Sequence, residues 1–344
     1  MALNNAMAGG TAGTIGLSIA SGQRVTVRVP ATTANLGPGF DSLGMAVSLY
    51  DSLTVETFDG AADAGGEREL LFELRGEGAA ALPRDASHLA VRAMDAAFSR
   101  LGYRRSGLKI TADNALPHGR GLGSSASAIV AAVTAANALV PEAARQDAQW
   151  VLQLTSELEG HPDNVAPAIF GAVAISWQEG GRYRSARVTP STHVIPIAAI
   201  PAVELSTEVA RAMLPVAVPH ADAAANAGRT ALLIHALKDD PALLLAGTED
   251  FLHQSFRAAA MAGSAALMDG LRAEGFAAFI SGAGPTVMTL ADGDAEAQRA
   301  VAFITAFGAS TDQQARPGDE TCASWRVLRL NIDADGAKVE LHRW

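Results

Sequence analysis

The residues with the plainest chemical potential form one run, Leu116-Pro117-His118-Gly119-Arg120-Gly121-Leu122-Gly123-Ser124-Ser125-Ala126-Ser127. Three glycines in five positions let the backbone take positive φ and come close to a ligand. The serines open an alanine-rich stretch of helical character that reaches about Val140. Loop amides, the unpaired N–H groups of a first helical turn and the positive end of the helix dipole then converge on one place. That place suits a triphosphate. The hydroxyls add donors for phosphate, or oxygen ligands for Mg²⁺. The Walker spacing GxxxxGK[ST] is absent, and GxGxxG fails because Ser124 stands at its last glycine. A Gly-rich loop alone is often only a helix start. The full run ending in GLGSSAS is what lifts this one above that reading.

Other chemistry-bearing residues are scattered. Asn35 and Asp41 sit in Pro30-Ala31-Thr32-Thr33-Ala34-Asn35-Leu36-Gly37-Pro38-Gly39-Phe40-Asp41. Glu157 and Glu159 precede His161-Pro162-Asp163-Asn164. Arg211 ends Ser206-Thr207-x-x-Ala210-Arg211, Arg257 ends His253-Gln254-Ser255-Phe256-Arg257, and Gly282 lies in Ser281-Gly282-Ala283-Gly284-Pro285-Thr286. Each has a bland reading. Arg211 could pair with Glu208 one helical turn earlier. Asp41 could cap a helix, Asn164 could serve a turn, and the glutamates could line a solvated helix face. His118, His161 and His253 show no metal-binding spacing.

These residues need a scaffold. Strand character marks 23–31, 43–57, the LLFELRGEG segment, 107–114 and 171–177, with helices from 89, from 125 and over DAQWVLQLTSELEG. The second half repeats the alternation: a strand over 193–201, a helix capped by Ser206, helices over about 221–237 and 243–273, strands flanking SGAGP, a helix near 294–307 and two late strands. Strands mixed with helices in each half predict an α+β chain with a cleft between two layers. The boundary falls in the polar stretch near 180–192, giving a flexible tail over 1–22 and domains over 23–185 and 186–344. The chain has 344 residues, 49% hydrophobic, and a formal charge of −10. An acidic chain without a basic stripe predicts no nucleic-acid or anionic-membrane partner. One cysteine, Cys322, allows no internal disulfide, which makes the cytoplasm the expected compartment. No apolar run reaches the ~18 residues of a membrane span. Oligomeric state stays open, with a homodimer as the assembly to test.

Pro117 to Ala126 resembles the central P-x-x-x-G-L-G-S-S-A motif of the GHMP kinases, and the segments at 30–41 and 281–286 are similar to that family's outer motifs. The resemblance spans about residue 23 to the end. It implies a two-domain fold, with an N-terminal half like ribosomal protein S5 domain 2 and a ferredoxin-like C-terminal half. It also implies ATP and Mg²⁺. Within the family, P-A-T-x-A-N-L-G-x-G-F-D, His161 to Pro167 and Ser206 to Arg211 are most similar to the branch acting on L-homoserine. By that resemblance Pro117, Gly119 to Ser127 and the residues between hold the phosphates, that is Arg120, Gly121, Leu122, Gly123, Ser124, Ser125 and Ala126. Ser125 with Glu159, or alternatively Glu157, holds the metal. Arg211 and Arg257 take the acceptor's carboxylate, Asn35 and Asp41 its ammonium, and Asn164 its hydroxyl, with Thr207 and Gly282 beside it. Asp163 is a contributing base at most. Ser255 replaces the usual proline of the family's H-x-P-x-R pattern, and His88 replaces an Asn near the nucleotide base. Rival readings are a mevalonate- or sugar-type acceptor, or an idle sensor of the same fold.

Overall fold

The computed structural model describes residues 17–61, 68–314 and 325–342. Most of the expected tail, residues 62–67 between two of the expected strands, and Cys322 lie outside them. Residues 17–22 do not behave as a tail. Strand β1 (Leu17–Ser18) pairs in parallel with β5 (Tyr103–Arg104), and Ile19 is buried in the core.

The first layer is a seven-stranded sheet. Strands β2 (Arg24–Ala34) and β3 (Leu43–Phe58) pair antiparallel over all of β2, with a register shift between Pro30 and Ala31. β4 (Leu70–Gly76) and β6 (Gly107–Asn114) extend it on one side. Alternating Val25, Val27 and Val29 face helices α1 (Leu89–Leu101), α2 (Ser124–Leu139), α3 (Ala148–Glu159) and α4 (Val165–Phe170) in one core. α2 is alanine-rich and buried nearly all round, so small side chains let it sit close against β2 and its helical neighbours.

β7 (Val173–Glu179) pairs with the start of β3, and β8 (Arg182–Val188) pairs with β7. The polar stretch expected as a domain boundary is therefore a hairpin strand. Gly180 and Gly181 both have positive φ, as a two-residue hairpin turn of the primed type demands, and the strand reads polar because none of its residues is fully buried.

The second layer is an antiparallel sheet in the order β10-β11-β9-β12, formed by β9 (Val194–Pro201), β10 (Ala277–Ile280), β11 (Val287–Asp292) and β12 (Trp325–Arg329). With helices between β9 and β10 and between β11 and β12, this is the split βαββαβ arrangement of ferredoxin-like folds. α5 (Thr207–Ala212) and α6 (His220–Lys238) follow β9. The helix expected over 243–273 is broken into α7 (Leu244–Gly247), α8 (Gln254–Arg257) and α9 (Ala262–Ala273). The break is chemical. The Asp250 carboxylate accepts the N–H groups of Leu252, His253 and Gln254 at 2.7–3.0 Å, so a new helix starts there. α10 (Gly293–Gln314) covers the sheet. The last strand, β13 (Lys338–His342), returns to pair with β2 in the first layer. Leu36, Leu43, Met45, Leu116 and Leu122 from one half pack with Ala198, Phe279 and Met288 from the other in a shared core.

Candidate active site

The phosphate-loop segment is clamped from both sides. Thr32 N–H donates to the Leu122 carbonyl at 3.2 Å, and Ser281 Oγ donates to the Gly121 carbonyl at 2.6 Å. Gly119, Gly121 and Gly123 have φ of 63°, 73° and 71°. A Cβ on Gly121 would lie 2.1 Å from the Ser281 carbonyl oxygen, and one on Gly123 would lie 2.0 Å from Thr32 Oγ1. Both positions thus require glycine for space as well as for φ. The first backbone bond of α2 runs from Ser127 N–H to Gly123 O. The amides of Ser124, Ser125 and Ala126 precede it, and Gly123 has no side chain to cap them, which leaves them to an anion. Gly123→Ala is expected to cost about 1–2 kcal/mol from its φ alone and, by displacing the loop, about 10²-fold in kcat/KM. Thermal melts and steady-state kinetics check this, and wild-type turnover would contradict the clamp.

Arg120 is spent elsewhere. Its guanidinium donates to the carbonyls of Pro201, His118 and Ala202 and reaches Glu204 at 3.1 Å. Arg120 nevertheless lines the cleft together with Pro117, Gly119 and Gly121 to Ser125. Ala126 and Ser127 lie behind, fully buried, with Ser127 facing a neighbouring cavity.

Across the cleft, Asp41 and Arg211 form a two-pronged ion pair, both contacts 2.9 Å. Asp41 is no helix cap: it sits in a turn with φ 54°, its N–H donated to Asn35 Oδ1. Asn35 Nδ2 in turn donates to the Gly282 carbonyl at 2.9 Å. Arg257 is 2% exposed and forms no ion pair with a carboxylate among the described residues. Its Nε donates to Ala210 O and its Nη1 to Gly282 O. Burial, with Arg211 nearby, pulls its pKa down against the opposing pull of Asp41, Asp250 and Asp163, carboxylates that lie near without pairing with it. The Phe40 ring lies 5.7 Å from the Arg211 guanidinium and 5.3 Å from that of Arg257. Thr207 and Gly282 complete this wall.

At the floor, Ser125 Oγ donates to Glu159 Oε2 at 2.7 Å. Burial raises the Glu159 pKa against the opposing pull of His161 and Ser125. Glu157, the alternative, points away and pairs with Arg100 at 2.7 Å. Two residues before Glu159, it is turned by about 200° round the helix, so the two carboxylates leave from nearly opposite faces. Among the described residues, no three His, Cys, Asp or Glu side chains cluster to cage a metal. Two hard oxygens at a phosphate loop nevertheless fit Mg²⁺, which takes one or two protein ligands and completes its shell with phosphate and water.

Asn164 Oδ1 accepts from Thr32 Oγ1 at 2.8 Å, beside Gly123. Asp163 is not free beside an acceptor. Its Oδ1 binds His161 Nδ1 at 2.6 Å and is 3.4 Å from Asn164 Nδ2. Burial works against an imidazolium here, but Asp163, Glu159 and Asp41 prevail and push His161 up to about 9. His161 thus adds a cation that the sequence reading missed, because its role depends on what folds around it. An imidazolium held above its ordinary 6.5 stabilises the fold fully below that value and loses the contribution as pH rises toward 9. In EDTA, unfolding free energy is expected to drop by up to about 3 kcal/mol between pH 6.5 and 9.5 in the wild type, and to stay flat over that window in His161→Gln. Denaturant titrations at each pH check it.

A second cavity of about 280 Å³ shares Gly119, Ser124 and Ser125 with the cleft and is walled by Leu53, Leu82 and Leu89. His88 lies on it as the N-cap of α1, its Nδ1 accepting the Ala90 N–H at 3.2 Å. Thr32, Phe40 and Leu205 also join the site without having been singled out: Thr32 and Phe40 were present only as members of a motif, and Leu205 only as the residue before one.

The GHMP kinase N-terminal domain profile matches residues 88–172, and the C-terminal profile matches residues 232–310. The chain belongs to the GHMP kinase family. Its full-length relatives place it among that family's homoserine kinases. It is 48% identical to the homoserine kinase of Streptomyces avermitilis over 92% of this chain and 95% of the relative. It is 43% identical to that of Clavibacter michiganensis subsp. michiganensis over 94% and 96%. A crystal structure of homoserine kinase from Cytophaga hutchinsonii superposes with a TM-score of 0.78 at 24% identity, covering 92% and 97% of the two chains; this supports the fold alone.

Proposed function

We propose that the protein transfers the γ-phosphoryl group of ATP to the side-chain hydroxyl of L-homoserine, giving O-phospho-L-homoserine for threonine biosynthesis in the cytoplasm. One observation carries the reading. An uncapped helix N-terminus behind a glycine loop opens into the same cleft as a carboxylate flanked by two guanidinium groups. The first suits a triphosphate, and the second suits an amino-acid zwitterion.

Phosphoryl transfer needs alignment and charge neutralisation more than covalent help. The amides from Gly119 to Ala126 hold phosphate oxygens, and His161 adds positive charge nearby. The apolar second cavity accepts the nucleotide base. Arg257 and Arg211 take the carboxylate of the acceptor, and Asp41 and Asn35 take its ammonium. Arg211 and Asp41 exchange their mutual pair for these contacts, so the acceptor's two charges substitute for partners already present. Asn164, held by Thr32, orients the acceptor hydroxyl. Asp163 holds His161 and leaves the hydroxyl without a dedicated base, which a loose transition state tolerates. Mg²⁺, held by Ser125 and Glu159, would supply neutralising charge at the phosphates when bound.

ADP release measured with homoserine, 4-hydroxybutyrate, mevalonate and galactose tests this. Turnover is expected with homoserine alone, because the other three lack the ammonium that Asp41 requires. Turnover of mevalonate or galactose without homoserine would overturn the acceptor, and absence of any turnover would favour a binding-only protein. Among the described residues no helix is long and apolar enough to cross a membrane.

A further inference from the structure

Resting on the acceptor pocket as read above, we propose that His253 is a positioning residue that holds Arg257 and the 35–41 loop in register through the two nitrogens of one neutral imidazole. His253 is completely buried. Its Nδ1 lies 3.2 Å from Arg257 Nη1, and its Nε2 lies 2.8 Å from the Gly37 carbonyl oxygen. A guanidinium can only donate, so Nδ1 accepts; a carbonyl can only accept, so Nε2 carries the proton. Both contacts are satisfied by one tautomer and by no other protonation state. Burial, the largest influence on the ring, also keeps it neutral.

Both ends of this link bear on the pocket. On one side is Arg257, the buried guanidinium without a paired carboxylate. On the other is a loop in which Asn35, Leu36 and Asp41, none of them glycine, have φ of 67°, 50° and 54°. Such a loop keeps its shape only when its surroundings hold it. Gly37 is wedged as well: a Cβ there would fall 2.3 Å from the Thr248 carbonyl oxygen. The His253 ring packs on Phe40 with centroids 5.1 Å apart, and both guanidinium groups lie over that same Phe40 ring. Asp250 fixes the ring from behind. It starts α8 through the His253 amide and stands 3.5 Å from Nε2. The carboxylate and ammonium ends of the acceptor would therefore be spaced by a single side chain that touches neither.

The test uses the whole 344-residue chain. His253→Phe keeps an aromatic ring on Phe40 and removes both polar links. It is expected to raise the homoserine KM about 10-fold to 100-fold, with kcat and the ATP KM within about 2-fold. In an Arg257→Met background the same change is expected to lose most of its effect, since the group it aims is gone. Parallel rises in both KM values, or full additivity with Arg257→Met, would overturn the proposal and mark a merely structural residue. Should His253→Phe fail to fold, His253→Asn and His253→Gln decide. Asn places an acceptor near the Nδ1 position, whereas Gln reaches toward Nε2. Asn is expected to lie nearer wild type in homoserine KM, and equal values for the two overturn the idea. Nitrogen NMR of labelled histidine reads the tautomer without substrate; a proton on Nδ1 would also overturn it. If wild-type enzyme ignores homoserine while the tautomer is as expected, the acceptor has been misread and not the link.

Discussion

Arg257→Met is expected to raise the homoserine KM by roughly 10²–10³-fold, as loss of one partner from a buried charged contact does, with the ATP KM changed by no more than about 2-fold. Methionine keeps much of the stem's volume, so the change removes charge and donors with little loss of packing. The physical reason lies in burial. A guanidinium at 2% exposure has already lost its water, and on the proposed reading it would gain a paired carboxylate only when the acceptor arrives. Arg211→Met is expected to do less. Its side chain is 44% exposed, and it exchanges a partner it already has, Asp41, for the acceptor. Substrate-saturation curves for both substrates in both variants measure this. Equal effects from the two arginines, or an ATP KM that follows the homoserine KM, would show that the carboxylate does not bind here.

Glu159→Gln should lower kcat on the order of 10²–10³-fold and weaken the apparent Mg²⁺ affinity. The substitution keeps size and an oxygen for Ser125 while removing the charge. Burial, with Asp163 adding to it, drives this carboxyl toward its neutral form. A divalent cation would restore the ionised form, so charge at this position and metal at the phosphates depend on each other. Glu157→Gln is the control. Its carboxylate pairs with Arg100 and stands partly in solvent, so its loss is expected to change kcat by less than about 2-fold. Activity titrated with Mg²⁺ separates the two, and equal damage from both glutamates would refute the assignment of Glu159.

Much of the scaffold was legible in the residue pattern because short-range periodicity decides it. The strand at 107–114 and the helix closing at Glu159 are local matters of alternation, capping and a following glycine. Two elements were not. The segment 243–273 carries helical periodicity throughout, yet Asp250 bonds three successive amides and restarts the helix. The polar stretch near 180–192 reads as a boundary because it lacks apolar alternation, whereas pairing with β7 makes its first part a strand.

For the site, the chain order of residues determined the phosphate loop: glycines at alternate positions followed by a helix start are a local conformational instruction, readable before folding. Tertiary structure alone decided which glutamate meets Ser125, that Arg120 turns away, that Asp163 belongs to His161, and that His253 stands between Gly37 and Arg257. Those outcomes depend on burial and on partners between 2 and 216 positions apart in the chain. Charge and hydrogen-bonding character change with surroundings, and a linear sequence does not contain its surroundings until it has folded.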